Sequence, residues 1–213
     1  YIGNLADDAG GKFLKADLER YGVSSEYIEV FEGKNSFFSY ILINRQNASR
    51  TCVFDKDDLP PLTLNDKQKQ AVVAADILMV DGNDLDAAVK GAKIAQENGG
   101  KVLYDAGGLY DGVERLLPYA DILIPSEEFA LGHTGAANVE SAAEKLMELY
   151  RPDVVVITQG KDGGVLLADG KLQRYPSFSV KAVDTNGAGD VFHGAFAFGI
   201  TEEFDYMQCC LFS

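Results

Sequence analysis

From residue 75 onward the chain alternates short apolar runs with segments of helical periodicity, and this alternation restricts its fold more than any other feature. The apolar runs lie at residues 76–80, 101–104, 121–124 and 153–157. Uninterrupted runs of this length are typical of strands that are buried on both faces. Strands that alternate with helices predict an α/β fold, in which helices flank a doubly wound, mostly parallel sheet.

Two of the intervening segments carry apolar residues at the spacing of one helix face. The first helix is expected at residues 86–98, with an inner face formed by Ala88, Ala92 and Ala95. The second is expected to begin after Asn138, whose side chain is a preferred N-cap. Its inner face is expected to be formed by Ala142, Leu146 and Leu149.

A polar residue stands at the end of each predicted strand. These residues are Asp81, Asp105, Ser126 and Thr158. In open parallel sheets, ligands bind beyond the carboxyl ends of the strands. The sequence therefore predicts a polar cleft on which several chain segments converge.

The segments on either side of this pattern are predicted to be β-structure. Residues 37–43 and 51–54 are β-rich runs joined by a polar loop at 44–50, and we expect a small β-sheet lid at about residues 34–56. Residues 163–168 and 171–178 flank Asp169 and Gly170, a pair that favours a hairpin turn. We expect one domain over residues 1–213, incomplete at both termini.

Composition argues against several classes of function. The 213 residues include 33 acidic and 19 basic ones, and no basic stripe is visible of the kind that a nucleic-acid binder shows. No apolar run approaches the roughly 18 residues of a membrane span, which predicts a soluble protein. The 3 cysteines and 2 histidines are not grouped as zinc ligands. Unpaired cysteines are typical of a reducing compartment, so we expect a cytoplasmic protein.

The segment that indicates chemistry is residues 184–190, Asp-Thr-Asn-Gly-Ala-Gly-Asp, which a nearly apolar helical stretch follows. A glycine-rich turn that opens into a helix presents free N–H groups at the positive end of the helix dipole, an arrangement that binds anions. Gly187 and Gly189 let the backbone approach a phosphate closely. Asp190 adds a negative charge there, which is useful if its carboxylate removes a proton from an attacking hydroxyl.

These seven residues resemble the D-T-x-G-A-G-D signature of ribokinase-like (PfkB) kinases, and they match it at every fixed position. The likeness covers nearly the whole chain in the family's order. Residues 3–10 are similar to a G-x-D-x-x-G stretch, residues 37–54 to the lid, and residues 158–164 to the nucleotide segment T-x-G-x-x-G. The resemblance implies an enzyme that uses ATP with Mg²⁺, and in some members K⁺, to phosphorylate a sugar hydroxyl.

The resemblance also implies roles for individual residues. Asp190 is the catalytic base, and an anion hole is formed by the amides of Gly187, Ala188, Gly189 and Asp190. The nucleotide is approached by Thr158, Gly160, Gly163 and Ser126. Asp81 touches the sugar or, equally well, hydrogen-bonds a nearby loop. A monovalent cation is held in some members at the positions of Asp184 and Asn186.

Two departures from the family pattern leave alternatives open. Relatives carry N-x-x-E, linked to Mg²⁺ and the phosphates, where this chain has Ser126-Glu-Glu-Phe129. Glu127 or Glu128 then serves that role one position away, or acts only as an acid at a helix N-terminus. The N-terminal sugar signature G-G-x-x-x-N is absent. A non-catalytic sugar- or nucleotide-binding relative and a nucleoside kinase of the same fold therefore remain as alternatives, and the family's lids suggest a homodimer through residues 37–54.

Overall fold

A computed structural model describes residues 1–43, 50–55, 58–182 and 184–213. They form two compact units, Tyr1–Gln68 and Lys69–Ser213. The expectation of a single domain over residues 1–213 stays a prediction. No helix within the described part of the chain is both long and apolar enough to cross a membrane.

The first unit begins with a βαβ arrangement: β1 (Ile2–Ala6), α1 (Ala9–Arg20) and β2 (Tyr27–Phe31). β1 and β2 pair in parallel, with Ile2 opposite Tyr27. Asp8 is the N-cap of α1, and its carboxylate accepts a hydrogen bond from the Gly11 amide at 2.8 Å. The same carboxylate accepts hydrogen bonds from Ser36, at 2.9 Å from its amide and 2.6 Å from its hydroxyl. One carboxylate thus joins the start of the helix to the segment that precedes the lid.

The predicted lid is present as a two-stranded antiparallel sheet of β3 (Phe38–Ile43) and β4 (Arg50–Asp55). The polar loop that was expected between them lies outside the described residues, except for its last residue. Several large apolar side chains of this sheet are exposed to solvent: Phe38, Tyr40, Leu42, Ile43, Val53 and Phe54.

The second unit is built on a six-stranded sheet. Its strands are β5 (Ile77–Val80), β6 (Lys101–Ala106), β7 (Ile122–Pro125), β8 (Val154–Thr158), β9 (Gly164–Ala168) and β10 (Lys171–Tyr175). Their spatial order is β10-β9-β8-β7-β6-β5. β5 to β8 are parallel, whereas β9 and β10 are antiparallel additions at one side. The predicted α/β fold with a mostly parallel sheet is confirmed.

Both faces of this sheet are covered by helices. The helices that cover it are α3 (Leu85–Glu97), α4 (Glu127–Thr134), α5 (Val139–Tyr150), α6 (Ala188–Thr201) and α7 (Tyr206–Phe212), and the preceding helix α2 (Asp66–Val73) contains the boundary between the units. On one face, strand residues such as Leu103 and Val156 form a buried cluster with Phe196 of α6 and Cys209 of α7. The alternate strand residues are equally buried, so they face the helices of the opposite layer. Each fully buried side chain of this size contributes about 1.5–3 kcal/mol to folding.

Three of the predicted inward positions are wrong. Met79 on β5 is 51% exposed, because β5 is the edge strand of the described six-stranded sheet. Ala88 is only half-buried, since Ala87 and Gly91 share the buried stripe of α3. Leu149 is 63% exposed because the buried stripe of α5 is centred away from it. The predicted N-cap is correct, since the side chain of Asn138 accepts a hydrogen bond from the Ser141 amide. Ala92, Ala95, Ala142 and Leu146 are buried as expected.

Candidate active site

The carboxyl ends of three parallel strands are joined directly in the second unit. Ser126, which follows β7, forms a parallel bridge with Thr158 at the end of β8. The Ser126 amide donates to the Ala106 carbonyl at 3.1 Å, and its hydroxyl donates to the Gly107 carbonyl at 3.2 Å. The predicted convergence of strand-end residues is therefore present along β6, β7 and β8.

The glycine-rich turn forms the start of α6, where the first amides of the helix lie. Gly187 is the N-cap residue and has φ +76°, a left-handed conformation in which glycine is strongly favoured. The Ala188 amide donates to the Thr185 carbonyl at 3.3 Å. Within the described residues, the amides of Gly189 and Asp190 have no hydrogen-bond acceptor. These two groups are available to a ligand at the positive end of α6.

Neither packing nor backbone conformation requires glycine at position 189, where the surroundings are open. Its φ is not left-handed, and a Cβ built on it meets no described atom within 4 Å. Alanine would therefore fit this helical position without strain in the protein alone. The structure therefore leaves room for a ligand at this position.

The Asp190 carboxylate lies beside these amides. It is exposed, and its Oδ2 atom is 3.8 Å from the position that a Cβ on Gly187 would take. An acceptor for protons therefore stands next to donors for an anion. This pairing suits a reaction in which a hydroxyl loses its proton while it attacks a phosphoryl group.

One buried contact at this site was missed by the sequence analysis. His193, one turn along α6 from Asp190, is 4% exposed. Its Nδ1 atom lies 2.6 Å from the Gly189 carbonyl and 3.2 Å from Oδ2 of Asp105 on β6, and its Nε2 atom lies 3.0 Å from the Ile124 carbonyl. The only local signal was a histidine in an otherwise apolar helix.

The pKa of the Asp105 carboxyl group responds to this environment. Burial raises its pKa, the charge of His193 lowers it, and the carboxylates of Asp190 and Asp81 raise it further. The acids at the end of β5 and at the start of α6 therefore lie close enough to act on Asp105 at the end of β6.

The predicted nucleotide segment contains two glycines with different roles. Gly163 has φ +77°, and a Cβ on it would lie 2.1 Å from the Tyr175 carbonyl oxygen, so the fold itself requires glycine there. Gly160 also has a positive φ, of +56°, but a Cβ on it meets no described atom within 4 Å. Of the two, Gly160 has the open surroundings that a nucleotide needs.

The Ser126-Glu-Glu-Phe129 segment is the first turn of α4. Ser126 is its N-cap, since its hydroxyl accepts a hydrogen bond from the Phe129 amide at 3.1 Å. Glu127 accepts a hydrogen bond from the Gln159 side chain at 2.8 Å, whereas Glu128 is exposed. Phe129 is fully buried, and its ring meets that of Tyr104 edge to face. The position where relatives carry the glutamate of N-x-x-E is therefore used for core packing.

The remaining candidate residues are engaged in local turns. Asp184 accepts a hydrogen bond from the Asn186 amide at 2.9 Å. Asp81 accepts hydrogen bonds from Asn83, at 3.0 Å from its amide and 2.6 Å from its side chain. Among the described residues, no three His, Cys, Asp or Glu side chains are grouped as a metal site.

Comparisons with known proteins identify the family of the chain. A family model described as pfkB family carbohydrate kinase matches residues 1–213. Ribokinase of Haemophilus influenzae is 24% identical over 218 residues, which cover 100% of this chain and 71% of that protein.

Solved structures show the same fold. Ribokinase of Thermotoga maritima superposes with a TM-score of 0.80 at 24% identity, covering 98% of this chain and 70% of that one. Fructokinase of Xylella fastidiosa with bound ATP superposes with a TM-score of 0.80 at 21% identity, covering 98% and 71%. The expected ribokinase-like fold is therefore confirmed. Because the family model spans the entire sequence, the chain belongs to the pfkB family of carbohydrate kinases, which are phosphotransferases with an alcohol group as acceptor.

Proposed function

We propose that this chain transfers the γ-phosphoryl group of ATP to a hydroxyl of a monosaccharide of the ribose or fructose type. The observation that carries the proposal is the start of α6, where the free amides of Gly189 and Asp190 stand beside the Asp190 carboxylate. A protein that only bound a phosphate would gain nothing from an acid among those donors, since it repels the anion.

The reaction divides between these groups. The substrate hydroxyl gives its proton to the Asp190 carboxylate while its oxygen forms a bond to the γ-phosphorus. The bond between that phosphorus and the bridging oxygen breaks, and ADP leaves with the electron pair. The amides of Gly189 and Asp190, at the positive end of α6, stabilise the charge on the phosphoryl oxygens during the transfer. The Gly187 and Ala188 amides complete the proposed anion hole, although the Ala188 amide must give up its long hydrogen bond to Thr185.

The nucleotide would lie along the joined ends of β7 and β8. Thr158, Gly160 and Ser126 line that edge, and Gly163 sets the backbone of the segment. Mg²⁺, when bound, neutralises charge on the phosphates, and it usually takes only one or two carboxylates from the protein. Glu127 is the better-placed candidate because its contact with Gln159 joins the two segments, with Glu128 as its neighbour. Asp184 and Asn186 are proposed for a monovalent cation such as K⁺.

Two relatives indicate the class of acceptor by their names. One is called a ribokinase and another a fructokinase. Asp81 is proposed to contact the sugar, since it lies at a strand end and its charge acts on Asp105. A sugar phosphate is a poorer candidate, because no basic cluster is visible in the sequence to bind its second anion.

A panel assay tests the proposal. The full-length protein is given ATP, Mg²⁺, K⁺ and one acceptor at a time, with free pentoses, hexoses and nucleosides, and ADP release is followed. Turnover on a free sugar supports the proposal. Turnover only on a nucleoside contradicts the proposed sugar acceptor and supports the alternative, a nucleoside kinase of the same fold. Binding of ATP and sugar by calorimetry without ADP release contradicts the proposal and favours a non-catalytic binding relative.

Two further proposals concern the oligomeric state of the protein and its location in the cell. The exposed apolar side chains of β3 and β4 suit a homodimer through the lid, and sedimentation of the full-length protein as a monomer at micromolar concentration would count against it. Cys52, Cys209 and Cys210 are free thiols, which suits a cytoplasmic location.

A further inference from the structure

We propose that His193 and Asp105 form a positioning pair that holds the first turn of α6, with Asp190 and the free amides, over the carboxyl ends of β6 and β7. This inference rests on the proposed function, because it concerns the same site. Neither residue would touch the substrates, so the pair would act through the groups that it holds in place.

The three contacts of His193 connect three separate elements. Nδ1 reaches the Gly189 carbonyl within the first turn of α6 and the Asp105 carboxylate at the end of β6. Nε2 reaches the carbonyl of Ile124 on β7. The ring thus fixes the start of the helix to two adjacent strands at the edge where the strand ends meet. Displacement of that turn would move the Asp190 carboxylate and the Gly189 amide together.

Two partners of the ring are carbonyl oxygens, which are hydrogen-bond acceptors, and the third is the Asp105 carboxyl group, which is an acceptor when it is ionised. Carbonyl oxygens cannot donate, so Nε2 must carry a hydrogen to bond Ile124, and Nδ1 must carry one to bond Gly189. A ring that donates from both nitrogens is an imidazolium, and in the proposed pair the Asp105 carboxylate, 3.2 Å away, is its counter-ion. The side chains are 6% and 17% exposed, which makes this a largely buried ion pair.

The positive charge proposed for His193 suits the acidic end of the sheet where the ring lies. Asp190 and Asp81 are both near enough to act on Asp105, so this end of the sheet collects three carboxylates. A cation beneath Gly189 offsets part of that negative charge where an anionic phosphoryl group must approach. Histidine at this position would therefore serve both the geometry and the electrostatics of the helix start.

Kinetics of a double-mutant cycle separate positioning from stability. We expect Asp105→Asn and His193→Phe each to lower kcat about 10–100-fold, because a misplacement of about 1 Å can cost 10²-fold in rate. The KM for ATP should stay within about threefold of the wild-type value. The double variant should lose little more than either single one, since the residues act as a unit. His193→Asn keeps one donor near Gly189, so its kcat should lie between that of His193→Phe and that of the wild type. This variant also replaces His193→Phe in the cycle if the phenylalanine variant does not fold.

His133 provides a matched control, because it is the other of the 2 histidines and lies in the last turn of α4 rather than on α6. Its Nε2 atom is 2.8 Å from the Tyr150 hydroxyl, and its ring stacks on Phe129. His133→Phe should change stability but leave kcat within about twofold. Wild-type kcat in both Asp105→Asn and His193→Asn, with Asp190→Asn inactive, would overturn the inference while the proposed function stands.

A spectroscopic measurement keeps the inference testable if no acceptor is phosphorylated and the proposed function fails. The ¹⁵N spectrum of the full-length protein near pH 7 should show both ring nitrogens of His193 bearing hydrogen. Comparison with the spectrum of the His133→Phe variant assigns the signals to His193. Asp105→Asn should remove one of those hydrogens. A singly protonated ring in the wild-type protein would overturn the proposed pair.

Discussion

Gly189→Ala should make the protein more stable and less active at once. A Cβ at Gly189 meets no described atom within 4 Å, and the residue is helical, so nothing in the protein opposes the new methyl group. Alanine is favoured over glycine inside a helix by about 0.8–1.0 kcal/mol, and we expect about half to all of this in the first turn. For a chain of this size the gain corresponds to a rise in Tm of about 1–4 °C.

The loss of activity has a different origin. The methyl group would stand in the space proposed for the transferring phosphoryl group and hold it away from the Gly189 and Asp190 amides. Removal of one such donor from an oxyanion site costs about 10²–10³-fold in kcat. Gly194→Ala is the matched control, because Gly194 lies on the same helix and a Cβ there also meets no described atom within 4 Å. It should raise Tm similarly and keep wild-type turnover.

Thermal unfolding and steady-state ADP release, measured on the wild-type protein and both variants, check this prediction. Turnover of Gly189→Ala within a fewfold of wild type would refute the proposed anion hole. Equal losses in both variants would show that the effect comes from the helix in general rather than from the phosphate site. A fall in Tm for Gly189→Ala would show that the open space is occupied by some part of the protein.

Three further predictions concern the fold. Leu146→Ala should destabilise the protein by about 2–5 kcal/mol in denaturant unfolding because its side chain is fully buried, whereas Leu149→Ala, at a 63% exposed position, should change stability by less than about 0.5 kcal/mol. Gly163→Ala should cost at least about 1–3 kcal/mol from its backbone conformation, with more from the clash against the Tyr175 carbonyl, and a near-neutral unfolding curve would contradict this. Hydrogen bonds from Gly11 and Ser36 lower the pKa of Asp8 to about 2, so the stability that it contributes is present above about pH 4 and is lost as the pH falls through about 2. In acid titrations followed by circular dichroism, Asp8→Asn should be less stable at pH 7 and should show a weaker pH dependence of unfolding below about pH 4.

The sequence predicted the second unit well because its signals are local. Uninterrupted apolar runs identified the buried strands, and Asn138 identified a helix start through its own capping bond. Asp169 and Gly170 predicted the hairpin, and their φ angles of +50° and +69° have the positive sign that such tight turns require. The glycines of residues 184–190 likewise predicted a turn that opens a helix.

Features that depend on distant contacts were not predicted. Periodicity marks a helix face but not its centre, so Leu149 was placed inside although the stripe is centred elsewhere. His193 and Asp105 are far apart in the sequence, and only the packing of α6 on β6 brings them to 3.2 Å. Phe129, expected at the position of the family's glutamate, is buried with its ring edge to face with that of Tyr104, a role that no local pattern reveals.

The most direct measurement of the central claim is turnover by Asp190→Asn on whichever acceptor the wild-type protein phosphorylates, together with ATP affinity by calorimetry. If the carboxylate accepts the proton of the attacking hydroxyl, kcat should fall by about 10²–10⁴-fold while ATP binds with nearly unchanged or slightly higher affinity, since asparagine keeps the shape and removes a negative charge. Turnover of Asp190→Asn close to that of the wild type would contradict the assignment of Asp190 as the catalytic base.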